Sequence, residues 1–238
     1  MLNRTQEDRN AICSNFSNPF VVTDIVTPNE IQELIELFNN RTNKIHKNTG
    51  PITSDLNDIE SIPVLASIVD RIKEHIGECE IYRAFYFYVN SPHIIHNDDD
   101  IEGPITYKGI TIPLEVTYFN KDTGYPSLCF FEQYYLEGPS KFFGGSTINI
   151  PTWHNVQVYE YSKVQNKSDK SFDLISYNKY LTHLKRHWLQ ELSFDTALEW
   201  KPGSALIFDS VRLHCASDFV KQGIKSKLGI SIFTKLSK

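Results

Sequence analysis

Apolar residues recur with helical spacing in two stretches near the start of the chain. The first stretch follows Thr27, which can cap a helix with Pro28 in its first turn. Its apolar positions lie three or four residues apart: Ile31, Leu34, Ile35, Leu37 and Phe38. A second run predicts a helix over 62–76 that ends at Gly77. The polar stretch 39–58 between them is predicted to be a loop.

From residue 80 onward the pattern changes to alternation, which is typical of strands. Within 82–90, Tyr82, Tyr86 and Tyr88 share one face, and the other face is apolar. The predicted strands are 82–90, 109–117, 127–135, 146–150 (after the pair Gly144-Gly145), 196–200, 205–208 and 227–234. Residues 201–204 predict a tight turn.

Helices followed by many strands predict an α+β fold that is mainly β. One strand face is aliphatic, which suits packing under helices, and the other is mixed polar, which suits a wet cavity. A double-sheet jelly roll with N-terminal helices packed on one sheet fits this pattern. We expect one domain, 1–238, with a helical part over 1–79 and a jelly-roll core over 80–238. An insertion, 151–193, is either a lid or a solvated excursion, and its pattern predicts helix from 177 to 192.

Composition narrows the class of protein further. The net charge of −5 argues against a nucleic-acid partner, which usually requires a basic patch. No apolar run reaches the roughly 20 residues that span a bilayer, so no membrane association is expected. The N-terminus has no signal-peptide core, and the four cysteines form no CxxC motif. We therefore expect a cytoplasmic protein, of unassigned oligomeric state.

Two histidines and one aspartate form the candidate chemistry. His96 and Asp98 make an H-x-D pair just after the aromatic strand, and His214 follows a later strand. Residues two apart in extended backbone point the same way, so both side chains of the pair can reach one ion. Two imidazoles and a carboxylate are the facial triad of non-heme Fe(II) oxygenases, which leaves coordination positions open. Since Asp99 and Asp100 follow directly, a one-residue register shift stays possible, and we expect these two carboxylates to be solvated.

Four segments resemble the Fe(II)- and 2-oxoglutarate-dependent oxygenases, in particular the prolyl-hydroxylase-like and phytanoyl-type branches. The matching stretches are YFYVNSPHIIHNDDD, FFGGSTINI, EWKPGSALIFDSVRLHCASDF and KSKLGISIF, which together cover roughly 80–235. The resemblance implies a double-stranded β-helix, and it implies that His96, Asp98 and His214 ligate iron. It implies Fe(II), 2-oxoglutarate and O2 as cofactors, with ascorbate as a support in vitro.

The resemblance also implies residues that hold 2-oxoglutarate. Lys227 would pair with its distal carboxylate, at a position where family members often have arginine, and Lys225 is the alternative. Ser231 lies on the same face of the last strand, and the small Gly229 between them would leave room for the co-substrate. Tyrosine upstream of H-x-D often binds 2-oxoglutarate in the family, which suggests Tyr88, or Tyr86 in reserve.

The substrate is not readable, and a small molecule, an amino acid or a peptidyl side chain all fit. His93, Arg212 and Trp153 are candidate pocket residues, with the ring of His93 expected to diverge from that of His96. Because an aspartate stands where related halogenases have a small residue, hydroxylation is favoured. Two alternatives stay open: a cupin-like metal enzyme that does not use 2-oxoglutarate, and a non-catalytic jelly-roll binding module.

Overall fold

The computed structural model describes residues 4–45, 51–57, 59–99, 106–120, 123–138, 140–141, 157–158 and 164–236. The helices of these ranges are α1 (Gln6–Ser14), α2 (Pro28–Asn40), α3 (Pro63–Ile76) and α4 (Leu174–Tyr180), with short 3₁₀ turns at Ile59–Ser61 and Arg186–Leu189. Their strands are β1 (Phe20–Val22), β2 (Ile52–Asp55), β3 (Cys79–Val89), β4 (Thr106–Tyr118), β5 (Ser127–Tyr134), β6 (Ser140–Lys141), β7 (Gln157–Val158), β8 (Phe194–Glu199), β9 (Ala205–Asp209), β10 (Arg212–Ala216) and β11 (Ile224–Leu236).

Local sequence explains where α2 begins and where α3 ends. The Thr27 hydroxyl accepts a hydrogen bond from the Glu30 backbone N–H, and the Glu30 carboxylate accepts one from the Thr27 N–H. This reciprocal cap satisfies two N–H groups that a helix start would leave unpaired. Gly77 ends α3 at a φ of 80°, a conformation that favours glycine. Both predicted helices are confirmed.

A large antiparallel sheet carries the helices on one face. Its strand order is β1-β9-β4-β11-β3-β2 among the described residues. The helices α2 and α3 bury their apolar faces against alternate residues of β3, β4, β9 and β11, such as Ala84, Ile112, Ile207 and Ile230. Burial of that apolar surface is the main term that holds the helix layer in place.

A smaller antiparallel sheet, with the order β10-β5-β8, faces the other side of the large sheet. Between the two sheets lies an apolar cluster built from both: Leu128 and Phe130 on β5, Leu206 and Phe208 on β9, and Trp200. Two antiparallel sheets packed in this way form the predicted jelly roll with helices on one sheet, so the fold class is confirmed.

The N-terminal part is less purely helical than predicted. The strand β1 pairs with β9, and β2 lies inside the predicted loop 39–58 and pairs with β3. Both strands are short edges of the large sheet, and their three or four residues are too few to produce a clear alternating pattern. The helix α1 was also not predicted, because its sequence is mostly polar.

The described part of the insertion, from residue 164, covers the outer face of the small sheet. Leu181, Leu184, Leu189 and Leu192 are all nearly fully buried there, in one cluster with Phe131. Of the predicted helix over 177–192, only α4 and the 3₁₀ turn are helical. The described part from residue 164 therefore completes a core on the small sheet, and the role of the insertion as a whole stays a prediction. The predicted strand 146–150 and the pair Gly144-Gly145 lie outside the described residues.

Two further observations concern the chain as a whole. None of the helices in the described ranges has the length and apolar character needed to cross a membrane. All four cysteines are free thiols. The division of the chain into a single domain stays a prediction.

Candidate metal centre

Three ligand-type side chains meet at one point between the sheets. One ligand atom each from His96, Asp98 and His214 lies within 4.8 Å of the others. The Asp98 carboxylate lies between the two rings, with Oδ1 3.5 Å from Nε2 of His96 and Oδ2 3.4 Å from Nε2 of His214. Two imidazoles and one carboxylate are the ligand set of a facial metal site, which leaves coordination positions for other ligands.

The second ring nitrogen of each histidine is engaged by the backbone. Nδ1 of His96 lies 2.8 Å from the Ile94 carbonyl oxygen, and Nδ1 of His214 lies 2.9 Å from that of Arg212. A carbonyl oxygen only accepts, so each Nδ1 carries the proton and donates it. Each Nε2 can then present a lone pair toward the common point, which is the tautomer that a metal ligand requires.

Backbone pairing brings the distant histidine to the H-x-D segment. The N–H and the carbonyl of His96 both pair with those of His214 on β10, at 2.9 Å each. The Asp98 N–H donates to the Ser210 carbonyl at 2.8 Å. The three ligands are therefore held by main-chain hydrogen bonds between two segments more than 110 residues apart.

Burial and charge act in opposite directions on Asp98. Burial alone raises the pKa of this carboxyl, but the neighbouring rings of His214 and His96 outweigh it. The net pKa lies below its ordinary value, so the carboxylate is ionised at neutral pH. The ionised form is the one that ligates a divalent cation. Around His214 the surface is apolar, with the Phe208 ring centroid 4.6 Å away.

Lys227, near the start of β11, is a buried cation that pairs in register with Val89 of β3. Its exposed fraction is 5 %, and burial lowers the pKa of its ammonium to about 8. Within the described part of the chain, Nζ has no hydrogen-bond or ion-pair partner and instead lies over two rings, 4.8 Å from the Trp200 centroid and 5.4 Å from that of Phe219. A desolvated ammonium without an anion is costly. An anionic ligand at this place would remove much of that cost.

Trp200 supplies a second unsatisfied donor beside this lysine. Its side chain is fully buried, and the indole Nε1 has no hydrogen-bond partner among the described residues. The space beside Gly229 is taken up by this ring, because an added Cβ would lie 2.7 Å from Trp200 Cζ2. Gly229 therefore makes room for the indole rather than directly for a co-substrate, which corrects the sequence interpretation. An ammonium and an indole N–H without partners fit a carboxylate.

Both predicted tyrosines point to the wrong side of the sheet. Tyr86 is paired in register with Ile230, and Tyr88 with Leu228, and all four belong to or pack against the core under the helices. The Tyr86 side chain is fully buried there, and burial raises the pKa of its hydroxyl to about 12. Neither tyrosine shares a face with Lys227, which corrects their assignment to 2-oxoglutarate.

Of the other residues predicted on the last strand, one lies on the inner face of the large sheet and one is exposed to solvent. Ser231 shares the inner face with Lys227 and Gly229, since each of them is paired with an inner-face residue of β3. Lys225 is solvent exposed, and the register of β11 shifts beside it. A charge that is already hydrated gains little from a carboxylate. The structure thus favours Lys227 over Lys225 as the buried cation.

Three residues were predicted to line a substrate pocket. The His93 ring lies 4.4 Å from the His96 ring, so the two rings do not diverge as expected. Arg212 donates to the Phe131 carbonyl and to the Asp195 carboxylate, at 2.8 Å each, which ties it to the small sheet instead of a pocket. Trp153 lies outside the described residues.

Sequence reasoning missed the environment of Asp99. Its side chain is fully buried and makes a two-pronged ion pair with Arg4, with N–O distances of 2.5 and 2.6 Å. Asp99 was expected to be solvated, because a carboxylate in a run of three carries no local signal for burial. Its partner is 95 residues away in the sequence.

Comparison with solved structures places the fold among known enzymes. SnoN, a "non-heme alpha ketoglutarate dependent epimerase" from nogalamycin biosynthesis, aligns at a TM-score of 0.53 and 9% identity, over 97% of this chain and 83% of that one. HygX from Streptomyces hygroscopicus, with nickel, 2-oxoglutarate and hygromycin B bound, aligns at 0.51 and 9%, over 98% and 88%. The sequence matches no protein-family model and no curated protein. The chain therefore has the double-stranded β-helix fold found in 2-oxoglutarate-dependent non-heme enzymes.

Proposed function

We propose that this protein is an Fe(II)- and 2-oxoglutarate-dependent oxygenase that hydroxylates a small molecule or a peptidyl side chain. The observation that carries the proposal is the cluster of His96, Asp98 and His214, with both Nε2 atoms directed to one point. The fold agrees, since SnoN and HygX, which share it, are described with 2-oxoglutarate. In this proposal the three side chains hold one Fe(II).

Lys227 supports the assignment of 2-oxoglutarate as the co-substrate. It offers a buried cation on the inner face of the large sheet, and beside it lies the indole of Trp200, whose N–H has no partner in the described ranges. A dicarboxylate that chelates the metal at one end could place its other carboxylate on this ammonium. A charge-assisted hydrogen bond in such a dry site is worth more than one in water. Ser231 is a further polar group on the same face.

The chemistry would be divided between the cofactors and the protein. Bound iron would supply the activation of O2 that couples oxidation of a substrate C–H bond to conversion of 2-oxoglutarate into succinate and CO2. The protein holds the ligands in one tautomer and charge state, and its phenylalanines exclude water from His214. We assign hydroxylation rather than halogenation because Asp98 occupies the coordination position that a halide would need.

The direct test begins without a substrate. Anaerobic addition of Fe(II) and then 2-oxoglutarate should produce the visible metal-to-ligand charge-transfer band of the chelate. Exposure to air with ascorbate should then give succinate, followed by NMR, at a slow uncoupled rate. Metal-free protein is the control and should give neither band nor succinate, and the variant Asp98→Ala should lose most of the succinate formation.

The outcomes separate the competing functions. Metal binding without the band or succinate, across a panel of small molecules and peptides, would favour a cupin-like enzyme that does not use 2-oxoglutarate. Absence of metal binding would favour a jelly-roll binding module. Succinate together with an epimerised or cyclised product would retain the cofactors and overturn hydroxylation.

The depressed pKa of Lys227 predicts how 2-oxoglutarate binding depends on pH. Below pH 8 the ammonium is charged and binds the carboxylate, and above its pKa of about 8 it becomes neutral. The affinity should therefore change by no more than about 1.3-fold from pH 6.5 to 7.5 and fall about fivefold between pH 8 and 9. Calorimetric titration of the Ni(II)-loaded protein measures this. Lys227→Arg, which stays charged throughout, should show no such fall, and a fall of equal size in that variant would assign the titration to another group.

The lowered pKa of Lys227 also sets the direction in which the stability of the ligand-free protein changes with pH. The pKa of Lys227 lies near 8 in the folded chain, below the ordinary lysine value of 10.5. The unfolded chain therefore binds more protons between these two pH values, so the contribution of this residue to the free energy of unfolding increases as pH rises through that window. Bound 2-oxoglutarate should reduce the effect by keeping the ammonium charged.

A further inference from the structure

The two neighbours of Asp98 point away from the metal centre, and both are fastened inside the protein. Asn97 is 4 % exposed, and its Nδ2 donates to the carbonyls of Tyr135 and Gly138, at 3.1 Å each. The Asp99 side chain is fully buried against Arg4. The ligand is thus flanked on both sides by buried polar anchors.

Arg4 connects the two anchors. Its guanidinium makes the two-pronged ion pair with Asp99, and Nη1 also donates to the Leu136 carbonyl at 2.8 Å. The carbonyls that Asn97 and Arg4 contact all belong to 135–138, the segment that follows β5. One arginine near the start of the chain therefore joins the H-x-D turn to this segment. Lysine could not reproduce this, because only a planar guanidinium offers several donors in fixed directions.

The helix α1, which follows Arg4, packs against the same region. Ile12 of α1 is buried against Leu136 and Val211, and Val211 lies between Ser210 and β10. The Ser210 carbonyl accepts the N–H of Asp98, so α1 packs beside both segments that carry the ligands. A second ion pair, between Arg9 and Glu137, ties α1 to the same segment, 135–138.

We infer that Arg4 and Asp99 are positioning residues that hold the Asp98 turn in its metal-binding geometry. The inference rests on the proposed function. A contribution to folding stability alone would not account for this pair, because replacing a buried ion pair by uncharged groups is often neutral or stabilising. A fixed orientation of the ligand turn is what such a pair adds here. Changes in groups that orient metal ligands typically cost about 10- to 100-fold in metal affinity.

The test compares two paired substitutions that both remove an anchor of α1. Arg4→Met/Asp99→Asn removes the charges of the first pair together, so that neither is left buried alone. Arg9→Met/Glu137→Gln does the same to the second pair and is the matched control. The measurements are the Co(II) dissociation constant by competition with a chelator, the thermal midpoint of the metal-free protein, and the position of the charge-transfer band with Fe(II) and 2-oxoglutarate.

We expect the first variant to bind Co(II) at least about 10-fold more weakly and to have an altered band. The control should bind Co(II) within about threefold of the parent, whatever its thermal midpoint. Arg4→Lys, which keeps one contact with Asp99, should lie between the parent and the double variant. Parental affinity and band in Arg4→Met/Asp99→Asn would overturn the inference and reduce the pair to a helix anchor. An equal loss of Co(II) affinity in Arg9→Met/Glu137→Gln would also overturn the inference. If the parent protein itself bound no metal, the proposed function would fail instead.

Discussion

Replacing His214 by alanine should abolish stoichiometric Fe(II) binding, with a loss in affinity of more than about 100-fold. Changes in groups that merely orient a ligand already cost 10- to 100-fold, and this change removes one of three ligands. The metal should also cease to stabilise the fold. At a concentration 100 times its dissociation constant, a metal stabilises the parent by about 2.7 kcal/mol, and the variant should show no such gain. Thermal unfolding with and without Fe(II) measures this under anaerobic conditions.

His183→Ala is the control for this experiment. His183 is a partly buried histidine outside the cluster, so the same substitution there removes an imidazole without removing a candidate ligand. Its Fe(II) affinity should stay within a few fold of the parent. Tight stoichiometric binding in both His214→Ala and His96→Ala would show that the metal is held elsewhere.

The second large effect should follow replacement of Lys227 by methionine. Methionine retains much of the packing against Trp200 and Phe219 but removes the charge. Loss of a hydrogen bond to a charged group costs about 1.5–3 kcal/mol, so 2-oxoglutarate should bind about 10- to 150-fold more weakly while Fe(II) binds normally. Anaerobic calorimetry on the metal-free protein measures the Fe(II) constant, and calorimetry on the metal-loaded protein measures the 2-oxoglutarate constant.

A second keto acid separates loss of the charge from damage to the pocket. In 2-oxovalerate a methyl group replaces the distal carboxylate, so its affinity should be nearly the same for the parent and for Lys227→Met. The preference of the parent for 2-oxoglutarate should therefore disappear in the variant. If both keto acids lost affinity equally, Lys227 would have only a packing role. If Lys225→Met reproduced the effect instead, the exposed lysine would be the binding residue.

The spacing of apolar residues was sufficient to predict the architecture, because it indicates which residues are buried. Each layer of this fold buries an apolar face. The faces of α2 and α3 and the alternation in β3, β4 and β11 all follow from apolar spacing. The H-x-D pair could also be recognised from the sequence, since the relative direction of its two side chains depends on local backbone geometry alone. The strands β1 and β2 were not readable, because edge strands of three or four residues contain no full period.

Alternation divides a strand into two faces but does not say which of them meets the helices. In β3 one face carries Tyr86 and Tyr88 and the other Phe85 and Phe87, and both are aromatic. The tyrosines were assigned to 2-oxoglutarate because the family that the chain resembles often has a tyrosine upstream of H-x-D. The structure places Tyr86 in the core under the helices and Phe87 beside Trp200, where the two sheets meet.

The sequence by itself therefore determined the fold class and predicted the candidate ligand types, and its resemblance to a known family predicted Lys227 as the candidate cation. These depend on patterns within a few residues and on the order of segments along the chain. Only the tertiary structure decided that Asp99 is buried against Arg4, that Lys227 rather than Lys225 is buried, and that Gly229 accommodates Trp200. Each of these depends on contacts between segments far apart in the sequence, and the energy of a charge is set by whether such a contact removes it from water.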